Sequence, residues 1–279
     1  MRRDADRHIG LVLPSNEPGG AAVLSTLPAR AESWGYESLW FTDHVVGVRA
    51  MAGTYGAYWL DPLVAMTWVA AQTSSVRLGT GVLVLPHRDA VLTAKMVASI
   101  DVFSGGRVDL GVGTGWSRSE FRALGVADRY EARGRVTNES IEVMRACWAG
   151  GEVEYHGDFF DFRHIEFEPT PVQPRVPIWV GGDSPPAIRR AAAYADVWHP
   201  HDLTPADLQA KAEQIDERAG RRVTRTVRLA LTPDDLAGLG DLVDEYGSVG
   251  CASVVLDFRS VSSEGVVGLA EKAAELLLG

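Results

Sequence analysis

Along the chain, short apolar runs alternate with longer stretches whose apolar residues recur at helical spacing. The first run, "HIGLVLP" from His8 to Pro14, predicts a strand, and the stripe from Ala21 to Trp34 predicts a helix. Ser38 to Asp43 predicts a second strand, with a helix over Asp61 to Gln72 opened by Asp61 and Pro62. "VRLGTGVLVL", Val76 to Leu85, is the third strand, followed by a helix from Asp89 to Phe103. "RVDLGVGT", Arg107 to Thr114, is the fourth, with helical signals from Ser119 and again from Arg133 to Trp148. Pro177 to Gly181, Asp196 to Pro200, Thr226 to Leu231 and Ala252 to Phe258 complete the strands. Their helices run over Pro186 to Tyr194, Pro205 to Ala219, Pro233 to Tyr246 and Glu264 to Leu278. "TPADL" and "TPDDL" share one start logic: Thr caps free N–H groups, Pro has none to lose, and an Asp follows three residues after the cap.

About eight strand-then-helix units in roughly 250 residues form the pattern of a (β/α)8 TIM barrel, an α/β fold. A doubly wound open sheet is the alternative. The barrel is favoured because the units continue to the C-terminus without a second-domain linker, which makes residues 1–279 one domain. The stretch from Gly150 to Arg175 breaks the rhythm with too many Pro and aromatic residues for a helix. Long loops in compact domains are usually functional lids or insertions, so it is expected to cover one mouth of the barrel.

Composition narrows the function. With 46% hydrophobic and 23% charged residues, the chain can build a sizeable core. Lys+Arg number 27 against 37 Asp+Glu, a formal charge of −10, which argues against a nucleic-acid protein. No apolar run is long enough to span a membrane, and no signal-peptide pattern follows the basic N-terminus. Cys147 and Cys251 have neither metal nor redox spacing, so a reduced, cytoplasmic chain is the expectation.

The strand "SLWFT" ends in two ionisable groups, Asp43 and His44, before apolar residues resume. Desolvating a charge is costly unless it is paired or solvated, so this pair meets each other, a cleft or a ligand. In a barrel the active site lies at the C-terminal strand ends. Polar groups and glycines collect at those ends: Asp43, His44, Gly81, Thr114, Gly115, Gly181 to Ser184, His199 and His201. His44 suits proton transfer, the alternative being a histidine satisfied by Asp43 or a backbone carbonyl. "LGVGTGW" fails as a dinucleotide fingerprint because Trp116 stands where the third glycine belongs. "VGGDSPP", Val180 to Pro186, offers a helix start suited to a phosphate, or simply a well-capped βα turn. His199 and His201 lack a third ligand with metal spacing, so no metal is expected.

The order and spacing of four blocks resemble the luciferase-like monooxygenase superfamily, in its coenzyme F420-dependent oxidoreductase branch. They are "SLWFTDHV", the stretch from Val76 to Val126, "RGRVTNESIEVMRACW" and "PIWVGGDSPPAIRRAAAYADVW". The resemblance implies a (β/α)8 barrel with an insertion, and an oxidoreductase moving hydride between F420 and a small organic substrate. His44 then handles the proton, with Asp43, Gly81, Val82, Thr114, Gly115, Gly181, Gly182, Asp183 and Ser184 at the cofactor. Gly81-Val82 matches a bulge, often a non-prolyl cis peptide, that backs the ring. Trp116 and Trp198 are expected to wall the substrate pocket. Trp116 replaces the glutamate of the sugar-phosphate and alcohol dehydrogenases, and no lysine is placed for a sugar phosphate. The luciferase phosphate arginine is missing near Thr114, which leans away from FMN, although Arg88 or Arg118 could serve. The alternatives are a reduced-FMN monooxygenase fed by a separate flavin reductase, and a degenerate barrel without turnover. Homodimers are common in the resembled family.

Overall fold

A computed structural model describes residues 8–48, 56–259 and 261–279. Strands β1 (His8–Val12), β2 (Ser38–Phe41), β3 (Arg77–Thr80), β4 (Leu83–Val84) and β5 (Val108–Gly113) alternate with helices α1 (Gly20–Val23), α2 (Leu27–Ser33), α3 (Pro62–Ala70) and α4 (Ala90–Ser104). After α5 (Arg118–Ala123) and α6 (Arg129–Trp148) comes the hairpin β6 (Gly151–His156) and β7 (Asp161–Phe167). The second half runs β8 (Ile178–Gly181), α7 (Pro185–Tyr194), β9 (Val197–His199), α8 (Pro205–Ala219), β10 (Thr224–Arg225), β11 (Val227–Ala230), α9 (Leu239–Ser248), β12 (Ser253–Asp257) and α10 (Ser263–Leu277). No helix among the described residues is long and apolar enough to cross a membrane.

The sheet order β10-β9-β8-β5-β3-β2-β1-β12-β11 is parallel throughout. β10 and β11 are two pieces of one strand, split at Thr226: the first pairs with β9, the second with β12. The Thr226 N–H donates to the Trp198 carbonyl and the Arg228 N–H to that of Pro200, which closes the ring. The expected barrel is therefore the fold.

Inside the barrel one side chain dominates. Trp40 is fully buried and packs against Trp179, their ring centroids 4.6 Å apart, and stacks on His199 at 4.9 Å. Glycines make the room. A Cβ on Gly79 would lie 2.6 Å from the Trp40 ring, and one on Gly10 2.8 Å from its indole nitrogen. Truncating such a residue costs about 3–5 kcal/mol.

Several expected elements are subdivided. The helix expected over Ala21 to Trp34 is broken into α1 and α2 because Pro28 has no N–H to continue the ladder and crowds the preceding turn. The third strand is interrupted by the cis peptide Gly81-Val82. The helix expected from Pro233 begins as a 3₁₀ segment, Pro233–Gly238, with a Thr232–Asp235 capping box.

The segment 150–175 does not cover the mouth. Its β6–β7 hairpin is antiparallel and lies along the outer helical layer. Glu139 on α6 accepts from the N–H groups of Asp158, Phe159 and Phe160, while Asp101 at the end of α4 accepts from Val172 and Gln173. The reason is positional: the hairpin follows the C-terminal end of α6, which lies at the opposite end of the barrel from the C-terminal strand ends.

Candidate active site

A cavity of about 1150 Å³ opens at the C-terminal ends of the barrel strands, and no residue from 150–175 lines it. Its walls come mainly from the strand ends singled out in the sequence, with residues 56–59 and residues of α5, α6 and α7.

The floor is built around Val82. A Cβ on Gly113 would lie 2.4 Å from Val82 Cγ2 and one on Gly181 2.6 Å from Val82 Cγ1, so both glycines are required for this side chain to lie between β5 and β8. The Gly81 carbonyl is gripped by an Arg228 N–H. Arg228 in turn donates from Nε and Nη2 to Asp257 Oδ2 at 2.9 and 2.7 Å, and both residues are buried. A buried pair of this kind persists only with its bonding capacity filled, and the peptide oxygen supplies part of that. His199 lies below. Its Nδ1 bonds Thr226 Oγ1 at 2.8 Å, and burial, with Arg228 and His201 nearby, pushes its pKa down to about 3. It is a neutral fixture of the floor.

The wall carries the titratable pair. His44 Nδ1 lies 3.1 Å from Glu120 Oε2, while Glu120 Oε1 accepts from the Val45 N–H at 2.7 Å. Glu120 is buried on α5. Burial favours its neutral form, but the His44 and Val45 hydrogen bonds outweigh that and hold its pKa below the usual range. An ionised carboxylate accepts, so Nδ1 carries the hydrogen and the ring orientation is fixed. Trp59 and Trp116 flank the imidazole, with ring centroids at 4.7 and 6.1 Å.

The sequence-predicted residues divide. His44, Gly81, Val82, Thr114, Gly115, Trp116, Gly181, Gly182 and Ser184 all line the cavity. Asp43 lines it too, but its carboxylate is turned away, accepting from Val84 N–H at 2.8 Å and pairing with Arg88 at 2.8 Å. It anchors the strand beyond the bulge. Asp183 pairs with Lys211 on α8 and is not a lining residue, because a carboxylate beside a helix start finds a cation outside the mouth. Trp198 is no pocket wall: fully buried on the outer face of β9, it donates Nε1–H to the Gly182 carbonyl at 2.8 Å. Strand alternation sends it away from the barrel interior while His199 points in. Arg88 is occupied by Asp43 and Asp61, and Arg118 by Glu131.

Sequence reasoning placed Asp257 at a strand end without a role, and missed Glu120, Trp59 and Arg228. "SRSE", Ser117 to Glu120, has the spacing of a capping box, which gives Glu120 a local explanation. Ser117 does cap the Glu120 N–H, yet the carboxylate reaches across to His44. No group of three or more potential metal ligands occurs among the described residues.

Comparison with known proteins agrees with this fold. The chain is 30% identical over 240 residues to an F420-dependent hydroxymycolic acid dehydrogenase of Mycobacterium tuberculosis, covering 84% of this chain and 65% of that protein. Its fold matches the coenzyme F420-dependent tetrahydromethanopterin reductase of Methanopyrus kandleri with a TM-score of 0.78, 18% identity and coverage of 98% and 99%. It also matches the oxygenating component of 3,6-diketocamphane monooxygenase from Pseudomonas putida, solved with FMN, at a TM-score of 0.66, 19% identity and coverage of 81% and 67%. With residues 14–236 matching its family description, the chain belongs to the luciferase-like monooxygenase family.

Proposed function

We propose that this protein is an F420-dependent oxidoreductase that moves a hydride to or from a small, largely apolar organic substrate. The observation that carries the reading is the His44–Glu120 pair facing the same cavity as the Val82 floor. That floor fits a flat ring, because side chains are absent at Gly113 and Gly181, where they would lift Val82. When bound, the deazaflavin supplies a two-electron carrier, the chemistry the protein itself lacks.

The chain's own residues do the rest. Val82 would back the ring, and Arg228 holds the Gly81 carbonyl behind it. Gly181, Gly182 and Ser184 line the cavity beside the α7 start, where the cofactor phosphate would lie. Glu120 holds His44 through Nδ1, so Nε2 is the atom that exchanges the substrate proton. Trp59 and Trp116 flank the imidazole and narrow the space beside it in which a substrate can sit.

The second reading is a reduced-FMN monooxygenase served by a separate reductase, favoured by the FMN-bound fold neighbour. Titration of the purified protein with F420 and with FMN, followed by fluorescence, separates the two. Tight F420 binding with weak FMN binding is expected. Tight FMN binding without F420 binding overturns the proposal.

A further inference from the structure

The geometry points to Arg190, assisted by Arg133, as the cationic anchor of the phosphate ester carried by the cofactor. Both residues line the cavity where it runs between α6 and α7. The inference rests on the cofactor reading above for the ring, but not for the phosphate chemistry.

The α7 start is a poor anion site on its own. A helix start binds anions through free backbone N–H groups, and here the first two helical positions are Pro185 and Pro186, which have none. Asp183 adds a carboxylate nearby, turned onto Lys211. A phosphate at this place therefore needs positive charge from side chains.

Arg190 is built to supply it. It is 8% exposed, and its hydrogen bonds go to neutral acceptors: Nε to Asn138 Oδ1 at 2.7 Å, and Nη2 to the Gly134 carbonyl at 3.1 Å. Gly134 permits this approach, since a Cβ there would lie 2.9 Å from Nη2. Arg133 donates to the Tyr130 carbonyl at 2.8 Å and lies over the Tyr130 ring at 4.5 Å. The neighbouring carboxylate, Glu131, is paired with Arg118. Neither Arg133 nor Arg190 has a carboxylate partner among the described residues. A cation held out of water without an anion is costly, and a bound phosphate provides that anion. Arginine suits the role because its planar fork matches phosphate oxygens.

The test compares two ring pairs, each with and without phosphate: FMN against riboflavin, and F420 against its dephosphorylated riboside. The quantity read is the affinity ratio within a pair, which cancels whatever the ring contributes. In the wild type the phosphorylated member binds more tightly. In Arg190→Met the ratio falls about 10- to 100-fold, the scale of one charge-assisted contact, while the dephosphorylated ligand binds as before. Arg133→Met, whose side chain contacts mainly its own helix, lowers the ratio about 3- to 10-fold and guards against misfolding of the first variant. A merely structural role predicts lower thermal stability with an unchanged ratio, and that result overturns the inference. Equal wild-type affinity for the two members of a pair overturns it as well. If no ring ligand binds, the cofactor reading fails separately, and thermal stabilisation by inorganic phosphate decides. Protection of the wild type but not of Arg190→Met supports the anchor, and equal effects on both refute it.

Discussion

Replacing Glu120 with glutamine removes one charge and almost no volume. Oε1 of the new side chain can still accept from the Val45 N–H, now 2.7 Å away. Its amide, however, meets His44 Nδ1 at 3.1 Å as donor facing donor, so the imidazole must change tautomer or turn. With a protonated imidazole at 3.1 Å and an effective dielectric of about 20, the charge–charge attraction that is lost is at most about 5 kcal/mol. The measurable share, that of one charge-assisted hydrogen bond, is about 1.5–3 kcal/mol. This alone lowers the rate about 10- to 150-fold, and loss of an orienting carboxylate from a catalytic imidazole reaches about 10⁴ in serine proteases. A fall in kcat between about 10² and 10⁴ is expected on any substrate that supports turnover, with cofactor affinity within about threefold of wild type. Histidine nitrogen NMR, which needs no substrate, should show the tautomer change at His44. A Glu120→Gln protein that is folded, keeps more than half of its kcat and shows the wild-type tautomer would refute the pair as the proton-handling unit.

Three further outcomes follow from other contacts. Glu32 accepts from the N–H groups of Ser74, Ser75 and Val76; burial opposes its charge, but these bonds bring its pKa down to about 2. Its stabilisation is therefore full above the unfolded value near 4.5 and is lost as pH falls towards 2. Because the site is open to solvent, about 1–2 kcal/mol is expected, so Glu32→Gln should unfold more readily in urea at pH 7 and match wild type near pH 2. Trp198→Phe removes the donor to Gly182 and should weaken cofactor binding about threefold to tenfold, with a stability loss of about 1 kcal/mol, both readable by titration and thermal melting. Gly79→Ala places a methyl 2.6 Å from the Trp40 ring and should cost about 1–3 kcal/mol, with a shifted tryptophan fluorescence maximum.

The barrel was legible because both of its periods are local. Runs such as Leu39-Trp40-Phe41 announce buried strands, and Asp61, Asp89 and Thr204 cap the expected helices through their side chains. The cavity rim was legible for the same reason, since strand ends can be read off once the strands are placed. The partner of His44 was not, because Glu120 is 76 residues away and its spacing to Ser117 already has a local meaning. Trp198 and Asp183 fall outside the cavity lining for a complementary reason. Membership of a strand end does not say which face a side chain takes, and Lys211, which draws Asp183 aside, lies 28 residues further on. The hairpin's composition excluded a helix, but its docking depends on Glu139 and Asp101, whose roles no spacing reveals.

Glu120 has two clients: the imidazole at the end of β2 and the peptide that leads away from it towards residues 56–59. Moving the Val45 peptide would strip the carboxylate of an amide donor and loosen its hold on the ring. The position of the backbone at residue 45 and the orientation of the imidazole are thereby tied to one buried carboxylate, so that a shift in either is felt by the other.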